Sequence, residues 1–295
     1  MKSKLTDLKT AAKLVTSGSS IAFGGSIIRR QPVAFARELI RNGVKDLTIY
    51  GYPCGLATDM LAGVGAVKRI EAVYTGLFEY GMAYNIRRGI ESGQIEMIDV
   101  PEVAQCARFQ AAEMGVPFLP TRDLLATGVA QYNPDMFKEI TCPYTGEKMH
   151  LVPAINADFT VLHGYYGDEY GNVQWPEHRD ADDLDFIMAK AAKRLIVTVE
   201  KIIPHSEVLK NPNRTFIPHH KVEAIVELPF GVHPAQCDSF YDEDVEHLMY
   251  YQECAKDPDR WLNEYAQKYI YGVKTHEEYL DVATTPSRLA KLIIR

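Results

Sequence analysis

The 295-residue chain lacks any apolar run near the ~18 residues that a membrane span needs, so no transmembrane helix is expected. Its opening, Met1-Lys-Ser-Lys-Leu-Thr-Asp7, has no apolar stretch of the kind a signal peptide carries. Cysteine is sparse. Cys54, Cys106, Cys142, Cys237 and Cys254 form an odd, scattered set without C-x-x-C spacing, which suits reduced thiols in the cytoplasm. Positive charge is short as well: the net charge is −7, with no basic block and no aromatic-interleaved basic stripe, so nucleic acid is not expected as a partner. The G-x-S-x-G, H-E-x-x-H and P-loop patterns are absent, and Gly63-x-Gly65 lacks the third glycine of a dinucleotide fingerprint. His219-His220 has no cysteine or acid at ligand spacing, so neither a metal nor a tightly bound cofactor is expected.

Alternating strand and helix patterns fill the first 120 residues. Strand-like runs lie at Ile21–Phe23, Leu47–Tyr50, Ile70–Tyr74, Ile95–Ile98 and Val116–Leu119. Helical spacing is found near 5–16, 32–42, 57–63, 82–92 and 102–113. Such alternation predicts an α/β fold, an open and mostly parallel sheet with helices on both faces. Residues 121–150 show little periodicity and read as an irregular insertion. The pattern resumes with strands at Asp158–His163, Leu195–Glu200 and Val222–Leu228 and a helix over Ala181–Lys193. From Tyr241 the chain reads as helical. The expected organisation is an α/β domain over 1–240 with a helical C-terminal extension over 241–295 packed on it.

One segment stands out for chemistry. Ile21-Ala-Phe23 ends at Gly24-Gly25-Ser26, followed by Arg29, Arg30 and Pro32, where a helix begins. A diglycine at a strand end lets backbone N–H groups approach a ligand closely, and the helix start favours an anion. On local physics this is as much a plain turn as a site. Arg29 and Arg30 suit a carboxylate or a CoA phosphate, or else form a solvated surface pair. Glu102 follows Asp99-Val-Pro101 at a helix start, either as an ordinary dipole partner or as an acid/base or nucleophile at the strand-end edge. Arg122 is a candidate partner for it. Cys54 has no sequence-local base and reads as a packed thiol. His163, at a strand end, reads as a core histidine.

These residues resemble a known family. Ser20-Ile-Ala-Phe-Gly-Gly-Ser26, five residues, then Pro32 resembles the N-terminal signature of the first subunit of family I CoA-transferases. Further matches are Asp46-Leu-Thr48, Gly115-Val-Pro-Phe-Leu-Pro120, Ala157-Asp158 with His163 and Gly171-Asn172, Thr198-Val-Glu200, and Gly231-Val-His-Pro-Ala-Gln-Cys237 with Tyr241-Asp242. Ser26 and Arg30 depart from the usual letters, and the arginine resembles the glutaconate branch. The resemblance implies a homologous B subunit, commonly in an α2β2 assembly, whose glutamate attacks an acyl-CoA and passes CoA to an acceptor carboxylate. It implies CoA as part of the substrate, and backbone contacts from Gly24 and Gly25. Glu102, Arg122 and the Arg29-Arg30-x-Pro32 segment also resemble the A subunits of hydrolases that open the last steroid ring in bacterial cholesterol catabolism. There the A-subunit glutamate is the base.

Overall fold

The computed structural model describes residues 1–177 and 183–294. In chain order the strands are β1 (Ser20–Phe23), β2 (Leu47–Gly51), β3 (Pro53–Cys54), β4 (Val67–Ala72), β5 (Tyr74–Thr75), β6 (Glu96–Asp99), β7 (Phe118–Thr121), β8 (Lys138–Thr141), β9 (Lys148–Pro153), β10 (Phe159–Gly167), β11 (Val173–Gln174), β12 (Leu195–Ile202), β13 (Thr215–Ile217) and β14 (Val222–Glu227). The central sheet is nine-stranded. Its parallel body runs β14-β12-β10-β1-β2-β4-β6. The end of β10 is extended by β11, antiparallel, and β11 in turn by β13.

This order follows from the residues. β1, β10 and β12 are near-continuous apolar runs, and Ile21, Ala22, Val161, Ile196 and Val197 are fully buried. Strands covered on both faces read that way. The connections from β1 through β2 and β4 to β6 step outward in one direction, and those from β10 through β12 to β14 step in the other. Parallel crossovers are right-handed, so the two sets of helices cover opposite faces. The strand order therefore reverses between β1 and β10. In open α/β sheets, ligands bind at the strand carboxyl ends beside such a reversal.

Several sequence expectations need correction. The helix expected over 5–16 is confined to Leu8–Ala12, because Leu5 is bridged to Ile225 of β14 and Asp7 caps the helix at the Thr10 N–H, 2.8 Å away. The run Ile70–Tyr74 breaks at Val73: β4 stops at Ala72, and Tyr74–Thr75 pairs instead with Pro53–Cys54. The run at Val116–Leu119 becomes β7, which leaves the main sheet for a small antiparallel one ordered β7-β9-β8. The segment 121–150 is thus not irregular. It holds β8, the start of β9, a short helix at Val129–Tyr132 and a hairpin turn closed by the Cys142 N–H on Glu147 O at 2.8 Å. Leu124, Phe137 and Val152 pack with Val100, Ala104 and Ala107 into a satellite core beneath the Glu102–Met114 helix. Its strands are short and charged, Lys-Glu-Ile-Thr and Lys-Met-His-Leu-Val-Pro, which hides the alternation. The helix expected over Ala181–Lys193 runs Asp183–Ala191, with Ala181 and Asp182 outside the described residues.

The C-terminal helices share the main core. Leu248, Tyr251, Trp261, Tyr265 and Ile270 are buried in the same cluster as Phe35, Met60 and Leu61. Among the described residues no helix is long and apolar enough to cross a membrane.

Candidate functional site

Four loops leave the carboxyl ends of β1, β2, β4 and β6, and polar contacts join them into one edge. After β1, the chain turns at Gly24-Gly25. The Gly24 N–H continues the ladder by donating to Val161 O (3.0 Å), and the Gly25 N–H donates to Asp185 Oδ1 (2.8 Å). The Ser26 and Arg29 backbones close a tight loop on each other at 2.7 and 2.6 Å. Gly25 has φ +70°, and a Cβ there would lie 2.4 Å from Arg29 O. Ile27 and Arg30 sit at φ 56° and 48°, in the left-handed region that side chains avoid. Two non-glycine residues at positive φ in one short turn mark stored backbone strain.

The loop after β2 packs on this turn. A Cβ at Gly55 would lie 2.1 Å from Ile27 O, and the Leu56 N–H donates to that same oxygen at 3.2 Å. Gln31 ties the two loops further, its Oε1 accepting from the Ala57 N–H at 3.2 Å. Tyr52 then reaches the fourth loop, its hydroxyl donating to Glu102 Oε1.

Glu102 begins the Glu102–Met114 helix, which is fixed in three ways. Asp123 Oδ2 accepts the Ala104 N–H at 2.8 Å, satisfying a donor that the helix start leaves open. Gln105 Nε2 donates to Gly51 O and Glu71 O, at 2.8 and 3.0 Å, clamping the helix to the ends of β2 and β4. Arg108 makes a buried ion pair with Glu71 at 2.6 Å, and Glu71 also receives Arg69 at 2.7 Å. Glu102 itself is exposed. It borders an open groove of about 580 Å³ with Tyr52, Val103, Cys106, Gln110 and Thr121.

The sequence-selected residues divide accordingly. The structure brings Gly24, Gly25, Ser26 and Glu102 to one sheet edge. Ser26 is half-buried and Arg29 is exposed on the turn. Three expectations are corrected. The N–H groups of Gly24 and Gly25 already donate to Val161 O and Asp185, so in this conformation they are not offered to a ligand. Arg30 is not a surface anion receptor: it is fully buried, 2.6 Å from Asp185 and 3.6 Å from Asp238, with its guanidinium over the Tyr165 ring at 5.2 Å. Positive φ at residue 30 turns the side chain inward, where two carboxylates compensate it. Arg122 does not meet Glu102. It is exposed and faces Glu147 at 3.4 Å, because the hairpin turn swings that acid over it.

Cys54 is buried, and burial pushes its thiol up to about 12, which suits a packed thiol and not a nucleophile. His163, Glu200 and Cys237 place potential metal ligands within 4.8 Å of one another. Their bonding is internal, however. His163 Nε2 lies 2.8 Å from Glu200 Oε1 and its Nδ1 2.7 Å from Thr198 Oγ1. Tyr241 and the Phe230 N–H donate to the two oxygens of Glu200 at 2.7 and 2.8 Å. Burial raises the Cys237 thiol well above its usual range, so this knot reads as a structural tie between β10, β12 and the segment 230–241.

Sequence reasoning missed Tyr52, Asp185 and the Glu71–Arg108–Gln105 clamp. Asp185 lies 160 residues from Gly25, and its helix shows only an ordinary polar position there. Tyr52 sat in view within Gly51-Tyr-Pro-Cys-Gly55, but no local pattern linked it to Glu102.

Comparison with known proteins extends this geometry. A family model described as coenzyme A transferase matches residues 5–228. The chain is 33% identical to the A subunit of glutaconate CoA-transferase from Acidaminococcus fermentans, over 95% of this chain and 91% of that one. The crystal structure of glutaconate coenzyme A-transferase from that organism superposes with a TM-score of 0.93, at 32% identity, covering 99% of this chain and 96% of the other. The cholesterol ring-cleaving hydrolase IpdA subunit of Mycobacterium tuberculosis is 30% identical over 93% of this chain and 95% of its own length. An uncharacterized Archaeoglobus fulgidus protein is 36% identical over 96% of this chain, which spans 63% of that protein's length.

Proposed function

Since this chain belongs to the coenzyme A transferase family, we propose that it is the A subunit of a heteromeric enzyme that moves CoA between carboxylic acids. The observation that carries this reading is the near-complete superposition on glutaconate CoA-transferase, joined to a strained glycine turn at the sheet's reversal point. The partner is a homologous B subunit, in an α2β2 assembly in the cytoplasm. CoA enters as part of the substrate, with no separately bound cofactor.

In this reading the nucleophile is a glutamate of the B subunit. Its carboxylate attacks the thioester carbonyl and CoA thiolate leaves, giving a mixed anhydride. The thiolate then attacks the glutamyl carbonyl and releases the first carboxylate, leaving a glutamyl-CoA thioester. An acceptor carboxylate reverses both steps. This chain supplies one wall. Ser26 and Arg29 lie on the turn at that sheet edge, and Arg29, exposed there, recognises a carboxylate or a CoA phosphate. Tyr52 and Glu102 form the polar wall beside the groove. The test is CoA exchange from an acyl-CoA to a labelled carboxylic acid: the co-expressed pair transfers and this chain alone does not. Transfer by the isolated chain overturns the assignment.

One observation favours a second reading. Glu102 is exposed at the edge and receives the Tyr52 hydroxyl, as a base held in one orientation would. Together with the likeness to the ring-cleaving hydrolase subunit, this supports C–C hydrolysis of a cyclic β-keto acyl-CoA with Glu102 as base. Glu102→Gln decides between the two. CoA transfer reduced less than tenfold supports the polar wall, and a loss of more than a thousandfold in hydrolysis of a cyclic β-keto acyl-CoA by the same complex supports the base.

A further inference from the structure

The glycine turn is more strained than a βα turn needs to be, and its supports come from distant parts of the chain. Ile27 and Arg30 hold φ of 56° and 48° beside Gly25 at 70°. Such residues persist only where their surroundings over-determine them. From one side, Gln236 pairs with the turn as a strand would: the Arg30 N–H donates to Gln236 O and the Gln236 N–H to Ile28 O, both at 2.9 Å. From the other side, Asp185 contacts the turn at two points. One carboxylate oxygen accepts the Gly25 N–H at 2.8 Å and the other accepts Arg30 Nη1 at 2.6 Å. Asp185 is 2% exposed. Its carboxylate approaches so closely that a Cβ on Gly24 would lie 2.6 Å from Oδ1.

The helix that carries Asp185, Asp183–Ala191, also packs along the Glu102–Met114 helix, and Lys190 pairs there with Glu113 at 2.7 Å. It therefore touches both halves of the candidate site. Through Asp185 it fixes the turn, and through its flank it meets the helix that begins with Glu102.

We propose that Asp185 is a positioning residue for the reaction: it locks the Gly24–Arg30 turn and sets its spacing from the Glu102 helix. This rests on the CoA-transferase reading for its kinetic consequence, but not for its structural one. A displacement of about 1 Å at a reacting centre costs roughly a hundredfold in rate. Loss of the lock acts mainly on kcat, with a smaller rise in KM because Arg29 sits on the same turn.

The experiment uses the complex with its B subunit and two variants. Asp185→Asn keeps the shape and an acceptor for the Gly25 N–H but removes the ion pair. The double variant Arg30→Met with Asp185→Asn removes the buried charge together with its closer partner and leaves the more exposed Asp238 carboxylate, which protects folding. We expect assembled complexes with kcat lower by tenfold or more and with KM for acyl-CoA raised by a smaller factor than kcat falls. Hydrogen exchange of the Gly25–Arg30 amides, which needs no substrate, is expected to speed up at least tenfold in both. A kcat within twofold of wild type, a rise in KM alone, or unchanged exchange in the turn overturns the proposal. So does failure of both variants to assemble, which assigns Asp185 to folding alone. A wild-type complex without CoA transfer defeats the functional reading instead, and the exchange measurement still judges the lock.

Discussion

Gly25 and Gly115 share the same backbone angle, φ +70°, yet only one of them is crowded. A Cβ at Gly25 meets backbone oxygen at 2.4 Å, and at Gly115 it meets nothing within 4 Å. Gly115→Ala is therefore expected to lower stability by only about 1 kcal/mol, the left-handed penalty, with activity intact. Gly25→Ala adds a backbone collision, so urea unfolding should show a distinctly larger loss, together with loss of transfer activity. Equal effects would contradict the turn geometry. Cysteine reactivity offers a second residue-scale check. Thr145 and neighbouring backbone groups lower the Cys142 thiol, whereas burial raises those of Cys54 and Cys237. Iodoacetamide at pH 8 should alkylate Cys142 first and Cys54 and Cys237 last, as read by peptide mass spectrometry. At this scale the sequence was informative where chemistry is local. The diglycine turn and the place of Glu102 at a helix start were legible. The burial of Arg30 was not, because its partner Asp185 is remote in sequence and nothing near Arg30 signals an inward side chain.

Among elements, the C-terminal helices are held by a buried histidine set. His233 Nε2 lies 3.1 Å from Asp244 and its Nδ1 2.9 Å from the Tyr279 hydroxyl. His276 lies against Pro229 O at 2.9 Å and Arg37 stacks over the Tyr279 ring at 3.5 Å. Burial, helped by nearby positive groups, pushes His247 and His276 down to about 3 from an ordinary 6.5, and lowers His233 too. A folded-state value below the unfolded one means that the unfolded chain takes up protons first as pH falls. Stability is full above about 6.5 and is lost progressively below it. His247 and His276 each cost about 2 kcal/mol at pH 5. The midpoint of urea unfolding should fall steeply between pH 7 and 5, and His276→Gln should flatten that slope. An unchanged midpoint would contradict the burial of these rings. The clamp on the Glu102 helix gives another prediction. Arg108→Met leaves Glu71 (4% exposed) without its closest buried cation, with an expected loss of about 3–5 kcal/mol. Element types were largely legible, because periodicity survives burial. The small sheet was legible only in its β7 run, since β8 and β9 are half-exposed and open on charged residues, so little apolar alternation marks them.

For the molecule as a whole, the reversal of strand order between β1 and β10 decides where chemistry can sit. It puts the glycine turn, the Tyr52 loop and the Glu102 helix on one edge, with the Asp183–Ala191 helix bracing two of them. Sequence patterns predicted a parallel sheet but not its order, because order depends on pairings between strands far apart in the chain, such as Ile21 with Phe159. The same edge explains why the chain reads as half of a site. It carries a strained turn, an exposed arginine and an open groove, while the thiols of Cys54 and Cys237, on strand-end loops, are buried. The most direct measurement is to incubate the complex of this chain and its B subunit with acyl-CoA, trap the intermediate with borohydride or hydroxylamine, and locate the modified residue by peptide mass spectrometry. The account predicts one modified glutamate on the B subunit and none on this chain. A modified Glu102, or turnover with no trapped glutamate on either subunit, would contradict it.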